Sequence, residues 1–150
     1  MLKTDIENAA RAAMKSQDAV LVGTLRMALA AIKNRELEKR AKSGAAELTE
    51  EETMAVVKSE VKKRKDSVME FEKASRQDLA DKEKAELAIL EKYLPAEISD
   101  EEIEKLVRPL AAGRAVTDFG AVMGLAMKAI AGRASGDRVS AVVKQILTKQ

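Results

Sequence analysis

The sequence predicts an all-α protein. Ala, Leu, Lys, Glu and Arg dominate its 150 residues, proline falls only at Pro95 and Pro109, and apolar residues recur at helical rather than alternating spacing. This length suffices for one compact domain or two small helical subdomains with a real core. The expected division is an N-terminal long-helix bundle over residues 1–95 and a smaller three-helix C-terminal unit over residues 96–150.

Each element has a local reason. Leu21, Leu25, Ala28, Leu29 and Ile32 fall on one face of a helix from about Asp18 to Ser43, which Gly44 ends. Arg26, Lys33 and Arg40, seven residues apart, form a basic stripe beside that face. The segment Ser43–Glu47 is the one candidate linker. Thr49 opens the next helix as N-cap with Glu52 at N3, a capping box followed by the seam Met54, Val57, Val61, Val68 and Phe71, which Arg64 interrupts. The run Lys62–Lys65 resembles a nucleic-acid patch, but consecutive helical residues point around the circle and acids lie close by, so it reads as a salt-laced solvent face.

Leu87, Leu90 and Leu94 are expected to close a fourth helix that Pro95 stops. Ser99 is then an N-cap with Glu102 at N3, and Ile103, Leu106, Val107 and Leu110 face inward. Thr117 is expected to cap a helix packed through Phe119, Val122, Met123, Ala126, Met127 and Ile130. Gly120, Gly124 and Ala131 form a small-residue ridge at its edge, expected to let a neighbouring helix of the same chain approach closely. Gly132 occupies the position of a left-handed C-cap, and Gly136-Asp137 begins a last helix packed through Val139, Val142, Val143, Ile146 and Leu147.

With no cysteine and no histidine, thiolate, disulfide and zinc-thiolate chemistry and the usual neutral-pH general base are closed. Glu50-Glu51-Glu52 and Asp100-Glu101-Glu102 are helix first turns rather than metal sites, and no Gly-rich nucleotide loop appears, so no metal and no cofactor is expected. The amino terminus lacks a signal peptide's apolar stretch and no run approaches the ~20 residues of a spanning helix. The expectation is a cytoplasmic protein that does not enter membranes, with a monomer favoured. Its net charge of +2 is unremarkable, but basic residues gather in Val20–Ser43 and again from Gly113 onward. In the second region, the start of the last helix beside Arg133, Arg138 and Lys128 could cradle a phosphate. Asp137 in that first turn opposes this, and on physical grounds alone a helix-turn-helix corner is the first reading.

The elements Tyr93-Leu94-Pro95, Ile98 to Ile103, and Met123 to Gly136 (MGLAMKAIAGRASG) resemble the YqeY family of small bacterial helical proteins over the whole chain. The C-terminal half is similar to the tail domain of the B subunit of tRNA-dependent amidotransferases. Gly124, Met127, Lys128, Gly132, Arg133 and Ala134 fall on that tail's positions, with arginine replacing a lysine and Ser135-Gly136 replacing Asn-Pro. The resemblance implies a tRNA-binding accessory module, non-catalytic on its own, partnered by structured RNA, with an aminoacyl-tRNA synthetase or amidotransferase as the expected protein partner. Two alternatives stay open: a helical protein-interaction module for such an enzyme, and a subunit contributing to glutamine-dependent carbon–nitrogen ligation. Candidate RNA contacts are Lys128, Arg133, Arg138 and Lys149, with Arg26, Lys33 and Arg40 as the alternative set. Pro95, Ser99, Glu102, Gly120, Gly124, Gly132 and Gly136 are assigned structural roles. Phe71, Tyr93 and Phe119 are the only aromatics and lie in apolar patterns, so backbone recognition is expected in place of base stacking.

Overall fold

A computed structural model describes residues 1–45 and 47–149; Ala46 of the expected linker and Gln150 of the expected C-terminal unit lie outside the described residues. Among the described residues the chain forms helices without strands: α1 (Leu2–Ser16), α2 (Ala19–Ser43), α3 (Glu50–Lys73), α4 (Gln77–Glu91), α5 (Asp100–Ala111), a 3₁₀ turn (Val116–Asp118), α6 (Phe119–Ile130) and α7 (Gly136–Lys149). It divides into two compact units, Met1–Leu94 and Pro95–Gln150.

In the first unit α2 and α3 run antiparallel, tied at one end by the Lys39 ammonium, which donates to the Glu52 carboxylate at 2.6 Å and to the Glu47 carbonyl at 2.9 Å. The side chain of Asp18 caps α2 by accepting from Leu21 N–H, and the Thr49–Glu52 capping box opens α3. Leu2, Ile6 and Ala10 of α1 pack on Leu25, Ile32 and Val57, with Tyr93 and Leu94 half-buried against them, and Leu90 of α4 closes on Ala28 and Val61. Arg64, which breaks the apolar seam of α3, is itself only 4 % exposed. Its Nη1 donates to the Glu60 carbonyl and carboxylate, both at 3.1 Å, and its Nε lies 3.4 Å from Glu86 of α4. The basic run is therefore divided: Lys62, Lys63 and Lys65 face water and Arg64 faces inward.

The fourth helix stops at Glu91, before the expected Leu94. Leu94 precedes proline and is disfavoured in helical geometry, so the chain tightens beforehand: Tyr93 N–H donates to Leu90 and Leu94 N–H to Glu91 in i→i−3 bonds.

In the second unit α5, α6 and α7 enclose Ile103, Val107, Ala111, Val122, Ala126, Ile130, Val139 and Val143. Ser99 and Glu102 form the capping box of α5. Thr117 does not cap α6; it lies in the 3₁₀ turn, where Asp118 accepts from Ala115 N–H and supplies the local closure. The exit of α6 uses two left-handed residues in succession, Ala131 (φ 49°) and Gly132 (φ 82°), where glycine alone was expected. The ridge of Gly120 and Gly124 does not receive a neighbouring helix: both are exposed, and a Cβ at either would meet nothing within 4 Å. The core helices contact α6 through its opposite side, Val122, Ala126 and Ile130.

Candidate nucleic-acid interface

The corner between α6 and α7 owes its two arginines to folding. Arg133 turns back along α6, where its Nε donates to the Ile130 carbonyl at 2.8 Å and its Nη2 to the Ala129 carbonyl at 2.9 Å. These are carbonyls that a helix end leaves without partners, and a cation suits that end of the dipole. Arg138 holds Asp100 through Nε at 3.0 Å and Nη2 at 2.8 Å, donates to the Ile98 carbonyl at 2.7 Å, and lies 3.7 Å from Glu97. Ile98 in turn donates its N–H to the Arg133 carbonyl at 2.9 Å. The corner thus grips the extended lead into α5 by both backbone groups of Ile98.

This arrangement differs from the expected phosphate cradle of Lys128, Arg133 and Arg138: of the three, Lys128 alone is exposed. Two guanidiniums are committed to internal acceptors, and carboxylates crowd the start of α7: Asp100, Glu101, Glu104 and Asp137 line the shallow groove that Arg138 shares. An anion there would meet more negative charge than positive. The local reason is spacing: Arg138 and its acceptors lie 38 and 40 residues apart in sequence. Lys128 and Lys149 are exposed and form no ion pair among the described residues. Lys144 instead sits over the Phe119 ring, 5.6 Å from its centroid.

The alternative set behaves differently. Arg26, Lys33 and Arg40 are exposed along α2, together with Gly23, Ala30, Leu37 and Ala41. At ~1.5 Å rise per residue the cations stand about 10 Å apart, in line along the helix. One carboxylate borders the row: Glu36, buried on the α1 side, where Lys3 donates to it at 2.6 Å; Glu38 pairs with Arg35. That contact with Glu36 raises the Lys3 pKa above its ordinary value. Arg26 touches the Met14 sulfur at 3.6 Å, Lys33 approaches the far side of Glu36 only to 3.8 Å, and Arg40 is without a charged partner among the described residues. Seven-residue spacing makes the stripe visible in the sequence; that Glu36 turns toward Lys3 of α1 is not visible there, because Lys3 lies 33 residues away.

Among the described residues no cluster of acidic side chains is placed to hold a metal ion, and no single helix is long and apolar enough to cross a membrane.

The profile of the family described as Yqey-like protein matches residues 3–147. The chain belongs to that family. Relatives extend to fungi. A Clavispora lusitaniae protein named "altered inheritance of mitochondria protein 41, mitochondrial" is 38% identical over 128 residues, covering 81% of this chain and 69% of that protein. The Pyrenophora tritici-repentis protein of the same name is 29% identical over 152 residues, covering 97% of this chain and 78% of that protein. A Schizosaccharomyces pombe protein described as uncharacterized is 34% identical over 87 residues, covering 58% of this chain and 67% of that protein. Yqey-like family membership thus spans both compact units.

Proposed function

We propose that this chain is a tRNA-binding accessory module, non-catalytic on its own, that meets the sugar-phosphate backbone through α2. The observation that carries this reading is the exposed row of Arg26, Lys33 and Arg40, in which Arg26 and Arg40 form no ion pair among the described residues and Lys33 shares Glu36 with Lys3 at the longer distance of 3.8 Å. The likeness of its second half to the amidotransferase tail supports tRNA as the partner. Because Phe71, Tyr93 and Phe119 are all partly buried, recognition goes to backbone and shape. Anisotropy titrations with bulk tRNA over a range of salt test the proposal. The variant Arg26→Ala/Lys33→Ala/Arg40→Ala is expected to keep its helix content, lose roughly tenfold or more in affinity, and show a salt slope shallower by about 2–3, near one per phosphate contact removed. Lys128→Ala/Lys149→Ala is expected to do less. Unchanged affinity and slope in the triple variant overturn the α2 site.

A second reading, a protein-interaction module serving a synthetase or amidotransferase, draws on a separate observation, the bare outer face of α6.

A further inference from the structure

α6 is the most apolar helix of the chain, yet only one side of it is used by the core. Its outer side carries Gly120, Ala121, Gly124, Leu125, Met127, Lys128 and Ala131, all exposed, and Val116 of the preceding turn is 59 % exposed beside it. Glycine within a helix weakens it relative to alanine, and folding gains nothing in return here: neither glycine is at positive φ, and a Cβ at either position would point into open space. The packing of this chain therefore explains neither the glycines nor the apolar side chains around them. A flat, side-chain-poor surface rimmed by Leu125 and Met127 suits close approach of another helix.

The charge of this face selects the partner. Lys128 is its single charged side chain, and neither it nor Arg114, in the loop leading to the 3₁₀ turn, has an ion pair among the described residues. The nearby acid, Asp118, already accepts the Ala115 N–H. A lone lysine on an apolar surface is too little charge to hold a phosphate backbone, in contrast to the row on α2. It is well matched to one carboxylate at the edge of an apolar helix. We propose that the outer face of α6 is a docking site for an acidic amphipathic helix of a protein partner, with Gly120 and Gly124 admitting its backbone and Lys128 pairing with a carboxylate on it.

The full chain, ¹⁵N-labelled, is titrated with three synthetic 20-residue helices: one with an Ala/Leu face edged by glutamates, the same face edged by lysines, and the acidic composition with its face scrambled. The expected result is amide shifts confined to residues 116–131 for the first peptide alone. Gly120→Ala/Gly124→Ala is expected to raise the melting temperature by several degrees, about what a gain in helix propensity gives, while weakening the acidic peptide roughly tenfold. Lys128→Glu is expected to transfer the preference to the lysine-edged peptide. Those opposite signs, a firmer fold with poorer binding, separate docking from a structural role. Absence of shifts with the acidic peptide, equal binding of all three, or an undiminished affinity in the glycine variant overturns the proposal. So does concentration-dependent dimerisation of the free chain lost in the same variant, protection of α6 by tRNA, or its burial on anionic phospholipid vesicles, since each assigns the face to another occupant.

Discussion

Within residues 1–94 the interior admits Thr24, Glu36, Thr53, Glu60 and Arg64, whereas every buried residue described from 95 onward is apolar. Both threonines settle their hydroxyls on the preceding turn, Thr24 on the Val20 carbonyl at 2.8 Å and Thr53 on the Thr49 carbonyl at 2.9 Å. The ionic groups are another matter, because a buried charge is tolerated only when its partners stay in place. The second unit keeps its guanidiniums at the rim, where they lash chain ends together. Charge inside a core makes one helix pairing obligatory; charge at a rim can be removed with the core intact.

The largest effect expected from that contrast is at Arg64. Arg64→Ala should strip Glu86 of its partner, leave Glu60 with the exposed Lys63 alone, and cost about 3–5 kcal/mol, read by calorimetry as a lower transition for the first unit. Replacing Glu60, Arg64 and Glu86 together by Leu, Met and Leu should be nearly neutral or stabilising. A small loss in the single variant would break the comparison, and a large loss in the triple would sharpen it into a claim about pairing specificity.

Next in size is Arg138→Ala, expected to cost about 1 kcal/mol, because its side chain remains 33% exposed and water screens the pairs with Asp100 and Glu97. Affinity for tRNA should not change, and a loss of affinity with stability intact would restore the corner as an RNA site.

The smallest effect is an acid shift. Burial disfavours the Glu60 carboxylate, but hydrogen bonds from Lys63 and Arg64 outweigh it and hold the pKa below the usual value; the Lys39 ammonium does the same for Glu52. In the second unit Glu102 is held down, chiefly by the Ser99 backbone N–H. A depressed folded-state pKa gives stability that is complete above the unfolded value, near 4.3, and is lost as pH falls through the folded value. Melting curves between about pH 5 and 3 should therefore fall more steeply for the first unit. Equal slopes would remove this part of the contrast.

What the sequence made legible was local. The Thr49–Glu52 and Ser99–Glu102 boxes, the Asp18 and Gly44 ends of α2, and the core faces depend on residues three to seven apart. The interruption of the α3 seam was visible at Arg64, but its partner Glu86 belongs to another helix. The internal partners of the two corner guanidiniums were hidden for different reasons: Arg133 has its acceptors within four residues, yet their availability depends on how α6 ends, and Arg138 depends on a segment far upstream. The glycine ridge has the spacing of an interior seam yet lies exposed, because spacing identifies a face without saying which face the fold covers.

Tyr93 has a use beyond packing. It is the single tyrosine in a chain without tryptophan, it lies half-buried against the α1–α3 core, and burial pushes its hydroxyl pKa above the ordinary value. Ultraviolet emission excited at the phenol band therefore originates from residues 1–94 alone, while far-ultraviolet dichroism sums over the entire backbone. Recording both in one denaturant titration labels the two halves without any introduced dye, and a gap between the curves measures how independently they come apart.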